Sequence, residues 1–264
     1  MKALAEFPAL QRRQIRNLLC DIDDTLTTDG RLTAAAFGAL EALHAAGLRV
    51  VPVTGRPAGW CDHIARMWPV DGVVGENGAF YFRYDRASHA MRRRYAEDDA
   101  VRAANRSRLD AIGERIVAAV PGCAISADQH YREADLAIDF CEDVPRLGDS
   151  AIQRIVTLMQ ENGLTAKVSS IHVNGWFGSY DKLGMSKTLF AECFGCNLDS
   201  ADGETAFIGD SPNDAPMFAH FEHSVGVANV QAFAGRIASQ PAWITREHSG
   251  AGFCEFANAL LTAR

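Results

Sequence analysis

Hydrophobic and polar positions alternate along this chain in two different rhythms. Asn17-Leu-Leu-Cys-Asp-Ile22 reads as a short buried strand running into an acid. A helical pattern spans Thr33 to Ala46, with Thr33 as N-cap and Gly47 as the stop. Leu48 to Val53 is the next apolar, β-branched run, Ala58 to Met67 a short helix, and Gly72 to Val74 a further strand. Strand–helix alternation of this kind predicts a parallel sheet with helices on both faces.

The rhythm changes after that. Residues 79–83 read as a strand with Met91 to Tyr95 as its hairpin partner, and a long helix over Asp98 to Val120 stops at Pro121-Gly122. Asp135 to Phe140 alternates polar and apolar, as a strand with one solvated face does. A helix over Asp149 to Asn162 and two strands, Thr165 to Ser169 and Ile171 to Gly175, complete this stretch. Near Asp181 the first rhythm resumes. Helices are expected over Met185 to Phe194, Val230 to Ala238 and Gly252 to Leu261, with strands at Thr205 to Ile208, His223 to Val227 and Ala242 to Ile244. The expected organisation is one α/β core from residues 1–83 and 179–264, with an α+β module inserted over 84–178.

Composition narrows the function classes. The chain has 264 residues, 48% hydrophobic and 22% charged, which suits a globular protein with a sizeable core. Its net charge of −7 argues against a nucleic-acid partner. The one basic run, Arg92-Arg93-Arg94, is followed by Glu97-Asp98-Asp99 and reads as a solvated face. No apolar run approaches the ~20 residues that cross a bilayer, so no membrane partner is expected. Glu6 and Pro8 stand where a secretory leader would be apolar. The 7 cysteines are therefore expected as reduced thiols of a cytoplasmic protein. Cys193 and Cys196 form a lone C-x-x-C, which reads as packing at a helix end rather than a zinc site. Oligomeric state is not legible.

The chemistry collects at strand ends, where open parallel sheets bind ligands. Asp21-Ile-Asp23-Asp24-Thr25 leaves the first strand with two carboxylates at i and i+2, able to share a hard divalent cation. Thr54-Gly55-Arg56 ends another strand and offers a hydroxyl and backbone N–H groups to an anion. Gly209-Asp210-Ser211-Pro212-Asn213-Asp214 ends a third, with Ser211 as N-cap and Pro212 at the first helical position. Each motif alone is an ordinary turn; three together in one sheet point to a single site.

In this order the motifs D-x-D-x-T, T-G-R, a lysine and G-D-x-x-N-D resemble the haloacid-dehalogenase (HAD) superfamily. With Gly75-Glu-Asn-Gly-Ala79 they resemble its Cof-type, subclass IIB branch, which carries a large α+β cap of the C2B type over a Rossmann-like core. Asp24 departs from the commonest pattern of that branch, where glycine is usual. The resemblance implies a Mg²⁺-dependent phosphatase in which Asp21 is the nucleophile and Asp23 the general acid and base. It implies a metal site made by Asp21, Asp23 through its carbonyl, Asp210 and Asp214, with Asp214 and Asn213 orienting the metal or the lysine. Thr54, Gly55 and Arg56 with the lysine would bind the phosphoryl group. Lys182, just before the expected helix, is preferred to Lys187 inside it. Arg132 and His130 are candidates for reading the substrate from the cap, and His172, Asn174 and Trp176 form a second set. The expected ligand is a small phosphorylated metabolite such as a sugar or polyol phosphate. The alternatives are a phosphomutase or phosphotransferase on the same scaffold, and a non-catalytic binding protein, which the intact Asp21, Asp23 and lysine oppose.

Overall fold

The computed structural model describes residues 1–200 and 203–264. The chain opens with an edge strand β1 (Lys2–Ala3), a short helix α1 (Ala9–Gln14) and the central strand β2 (Asn17–Cys20). A small hairpin, β3 (Thr27–Thr28) and β4 (Arg31–Leu32), leads to α2 (Ala34–Ala45), β5 (Arg49–Pro52), α3 (Ala58–Met67) and β6 (Val73–Gly75). The hairpin β7 (Phe80–Asp85) and β8 (Ala90–Tyr95) follows. The next elements are α4 (Asp99–Ala119), β9 (Ala124–Ile125), β10 (Asp135–Asp139), α5 (Asp149–Glu161), β11 (Thr165–Val168) and β12 (His172–Trp176). The chain returns through α6 (Lys182–Phe194), β13 (Thr205–Gly209), α7 (Ala215–His220), β14 (His223–Gly226), β15 (Trp243–Ile244) and α8 (Ser249–Thr262).

Six parallel strands form the core sheet in the order β1-β15-β14-β13-β2-β5. The apolar runs read from the sequence explain its middle: Leu18, Leu19 and Cys20 of β2 are fully buried, as a strand covered on both faces requires. Two packed clusters flank the sheet, one around Phe253 and Phe256 of α8, the other around Leu189 and Phe190 of α6. The architecture is α/β, with an antiparallel cap inserted between β5 and β13.

The cap is a four-stranded antiparallel sheet, β11-β12-β10-β9, with α4 and α5 on one face. Leu136, Ile138 and Val173 point to those helices and pack with Ile112, Ile116, Ile155 and Met159. The opposite face of β10 was expected in solvent. Instead Asp135 and Asp139 are buried: Asp135 pairs with Arg132, which reaches the core at the Gly55 carbonyl, and Asp139 accepts the N–H groups of Cys141, Glu142 and Asp143 in the cap loop that follows. Alternation identified two different faces; it could not tell water from a polar interface.

Other expectations shift by a few residues. The hairpin β7–β8 crosses residue 84, where the inserted module was expected to begin. It pairs with β6 and buries Phe80 and Phe82 in the core cluster, with Met91 and Tyr95 packed on it. The chain thus leaves the core only after Tyr95. Helix α6 starts at Lys182, three residues before the expected Met185, because Asp181 caps it by accepting from the Gly184 N–H at 2.7 Å. The helix expected over Val230 to Ala238 is a 3₁₀ turn, Ala228–Phe233, and the left-handed Gly235 (φ +84°) follows it. No helix among the described residues is long and apolar enough to cross a membrane.

Candidate active site

The carboxyl ends of β2, β5 and β13 converge beneath the cap. β2 delivers Asp21, and the loop after β13 delivers Asp210 and Asp214. One oxygen from each of these three buried carboxylates lies within 4.8 Å of the others. Gly209 permits this approach, since a Cβ there would sit 2.4 Å from Asp214 Oδ2. Gly78, at φ +105°, lets the Glu76–Gly78 turn lie against the Asp181 carbonyl, where a Cβ would clash at 2.0 Å.

Lys182, at the start of α6, is buried and donates to Asp21 Oδ1 and Asp214 Oδ1, both at 2.7 Å. Lys187 lies one turn on and pairs with Asp199 at 2.5 Å, away from the cluster. The second Asp214 oxygen accepts the N–H groups of Asp210 and Ser211 at 3.1 and 3.4 Å. Both Asp214 oxygens are thus engaged in holding Lys182 and the loop. Asp210 accepts from Thr25 Oγ1 at 3.3 Å and from Asn229 Nδ2 at 3.4 Å.

Three buried carboxylates against one ammonium leave an excess of negative charge. Burial pushes the Asp21 carboxyl up, Lys182 pulls against it, and Asp214 and Asp23 add to the rise, with a net result of about 8. Burial, then Asp21 and Asp214, hold Asp210 well above the carboxylate range. Burial would pull the Lys182 ammonium down, but Asp21 and Asp214 outweigh it and the net shift is upward. A divalent cation among these oxygens would supply the missing positive charge, and an all-oxygen donor set suits a hard ion.

Asp23 is turned the other way. Arg56 grips its carboxylate with Nε at 2.9 and 3.1 Å and Nη2 at 2.7 Å. The same guanidinium donates to Glu142 at 2.6 Å and to Asp128 at 3.5 Å, both in the cap. Its donors are therefore placed on carboxylates, and it ties Asp23 to the cap rather than lying open to an anion. Thr54 is fully buried, and its Oγ1 accepts the Arg56 N–H at 3.0 Å. Asn213 accepts from Ser211 Oγ at 2.8 Å. A cavity of about 10 Å³ above Asp21 is lined by Asp23, Gly55, His172, Asn174 and Asn213 among others.

Arg132 does not face that cavity. It is buried, donates to Asp135 at 3.0 Å and Asp128 at 3.0 Å, and reaches the Gly55 carbonyl at 2.8 Å. Glu76, buried in the core, accepts the N–H groups of Ala58, Glu133, Ala134 and Asp135 at 2.6 to 3.1 Å. Together these contacts bind the base of the cap to the core. His130 lines a separate surface cavity, and Trp176 is buried with its Nε1 donating to the Tyr180 carbonyl. His172 lies 2.8 Å from Glu142, and Asn174 donates to Asp135 at 2.9 Å. Sequence reasoning missed Glu142, Asn229 and Ser170. Asn229 alone carried a signal, an amide just beyond the β14 strand end; Glu142 and Ser170 lie in cap loops without one.

Acidic strand ends gathered under an antiparallel lid place the chain among capped α/β hydrolases. The model of the haloacid dehalogenase-like hydrolase family matches residues 18–108 and 151–253, well over half of the chain, and the chain belongs to that family. A phosphoglycolate phosphatase of Methanoculleus marisnigri is 26% identical over 243 residues, covering 91% of this chain and 94% of its own. A HAD/COF-like hydrolase of Plasmodium vivax superposes with a TM-score of 0.68 at 18% identity, over 97% of this chain and 99% of that one. A HAD subclass IIB sugar phosphatase superposes with a TM-score of 0.59 at 16% identity, over 92% and 96%. The protein is a hydrolase of this family, and its fold carries a cap like that of the subclass IIB structure.

Proposed function

We propose that this enzyme hydrolyses a small phosphomonoester, a sugar or polyol phosphate by class, through an aspartyl-phosphate on Asp21. The observation that carries the reading is the buried Lys182 bridging Asp21 and Asp214 beside Asp210. Asp21 attacks phosphorus, the P–O bond to the leaving alcohol breaks, and Asp23 supplies that oxygen with a proton. Asp23 then takes a proton from the water that attacks the acyl-phosphate at phosphorus, returning Asp21 and free phosphate. Lys182 and Thr54 hold the transferring oxygens, and Asn213 orients them. To give its proton, Asp23 must release the Arg56 grip that turns its carboxylate toward the cap. Mg²⁺, held by Asp21, Asp210 and the Asp23 carbonyl, would neutralise charge that otherwise repels the phosphoryl group from the nucleophile. Asp214 serves by fixing Lys182.

The sugar phosphatase and the phosphoglycolate phosphatase among the similar proteins support small phosphate esters as the substrate class. A panel of phosphorylated metabolites, scored for phosphate release with and without Mg²⁺, tests the reading. Release from at least one ester only with the metal is the expected result; no release from any ester would overturn it.

A further inference from the structure

Beside the small cavity above Asp21 lies a larger one of about 290 Å³, and the two share Asp23, Arg56, Ser170 and Ile171 in their walls. The larger one adjoins the small one and offers room for the part of a substrate beyond the scissile oxygen. Its walls come from both halves of the molecule: Asp24, Thr27 and Asp29 from the loop and hairpin after β2, and Glu142, Arg146 and Ser170 from the cap.

Two features of this cavity stand apart from the catalytic machinery. Ser170 is 8% exposed, and its Oγ completes no hydrogen bond with any protein atom. A buried hydroxyl without a partner is destabilising, so a ligand atom that satisfies it is favoured there. Its notable neighbour is Asp24, which lines the same cavity. Asp24 itself sits at φ +56°, in the left-handed region that Gly, Asn and Asp adopt most readily. The commonest pattern of the Cof-type branch has glycine at this position. The chain keeps a carboxylate at this position, and it lines the cavity.

We propose that Asp24 and Ser170 form a hydroxyl-reading pair that selects phosphate esters of neutral, polyhydroxylated alcohols. The proposal rests on the phosphatase reading and specifies its substrate. Asp24 accepts a hydrogen bond from a leaving-group hydroxyl, and Ser170 donates to or accepts from the same or the next hydroxyl. The rest of the lining agrees. Asp23, Asp24, Asp29 and Glu142 outnumber Arg56 and Arg146, and Arg56 is already committed to Asp23 and Glu142. A carboxylate-bearing leaving group would meet uncompensated negative charge. That separates this chain from its relative named for phosphoglycolate.

The test uses three esters on one three-carbon skeleton: glycerol 1-phosphate, n-propyl phosphate and 3-phosphoglycerate, with p-nitrophenyl phosphate as a featureless control. In the full-length enzyme with Mg²⁺, kcat/KM should fall in the order glycerol, propyl, phosphoglycerate. Ser170→Ala and Asp24→Gly should each lower the glycerol-to-propyl ratio at least about tenfold, the loss expected when a site built for a hydroxyl is dismantled. Asp24→Gly and Asp24→Asn should also raise the phosphoglycerate-to-propyl ratio. Asp24→Gly suits the backbone at +56° and so keeps the test open if Asp24→Asn folds poorly. Ratios unchanged within about threefold, or equal losses on all esters, would overturn the pair as a selectivity device. With p-nitrophenyl phosphate still turned over, the phosphatase reading would survive that result; no turnover of any ester by the wild type would overturn both.

Discussion

Replacing Lys182 by alanine should nearly silence the enzyme, and replacing Lys187, five residues on, should scarcely touch it. Lys182 Nζ lies 2.7 Å from a carboxylate oxygen of Asp21 and of Asp214. At an effective dielectric near 20, each pair attracts by about 6 kcal/mol before the cost of burying the charges is subtracted. Removing one partner of such a buried pair typically costs about 3–5 kcal/mol, because the remaining charges lose their compensation. Lys182→Ala therefore leaves Asp21 and Asp214 facing each other with no ammonium between them. Stability should drop by an amount in that range, less where protonation or Mg²⁺ relieves the repulsion. The loss in catalysis is separate. A cation placed on the transferring phosphoryl group acts in a water-poor site, and losing one such contact costs about 10²–10³ in kcat. Lys187 pairs with Asp199 in solvent, so Lys187→Ala should stay within about twofold of wild type in kcat/KM and leave Tm almost unmoved. Steady-state kinetics on one ester, with thermal melts of all three proteins, gives the comparison. A Lys182→Ala enzyme within tenfold of wild type, or the reverse ordering of the two variants, would refute the reasoning.

Asp21→Asn should remove nearly all turnover while keeping the fold, since an amide matches the carboxylate in shape but cannot attack phosphorus; near-normal kcat with an unchanged melt would contradict this. Chelation should abolish activity and Mg²⁺ restore it, with Ca²⁺ restoring it poorly because its looser coordination misplaces the nucleophile; this is read by phosphate release after EDTA and add-back. Arg132→Ala should act on stability rather than selectivity, losing about 3–5 kcal/mol in a denaturant melt because buried Asp135 and Asp128 lose their partner. Burial would raise the Glu142 carboxyl, but hydrogen bonds from His172 and Arg56 carry it down from the ordinary 4.5 to about 2. Its folded pKa is depressed, so its contribution is complete above about 4.5 and fades as pH falls toward 2. Glu142→Gln should accordingly flatten the loss of Tm in that acid window.

Much of the fold was legible because the core strands are simple. Asn17–Cys20 and Arg49–Pro52 are apolar runs covered on both faces, so their pattern needs no tertiary context. Thr33 and Asp98 carried the helix starts in their side chains, each accepting an N–H three residues on. The cap face was not legible in the same way. Asp135 and Asp139 look like solvent positions, and only the folded structure shows Asp135 paired with Arg132 against the core and Asp139 capping the loop after β10. The site shows the same division. Asp21, Asp210, Asp214 and Lys182 were marked by strand ends and a helix start, which local sequence signals. Arg56 and Arg132 looked like anion binders because a sequence displays a positive charge and hides its partners. The structure gives Arg56 to Asp23 and Glu142, and Arg132 to Asp128 and Asp135. Those pairings join residues from separate parts of the chain or lie within one cap loop, and no periodicity encodes them. The helix start at Lys182 was missed for a smaller reason: Asp181 as cap was overlooked in favour of the apolar run that begins at Met185.

The central claim is a covalent phosphoryl group on Asp21, and rapid acid quench during turnover tests it most directly. The enzyme is mixed with a ³²P-labelled ester it hydrolyses and Mg²⁺, quenched within one turnover, reduced with borohydride and mapped by peptide mass spectrometry. The expected result is acid-stable label on the wild type, none on Asp21→Asn, and homoserine at position 21 after reduction of the acyl-phosphate. Phosphate release at the full rate with no label on the protein, or label mapping to another residue, would contradict it.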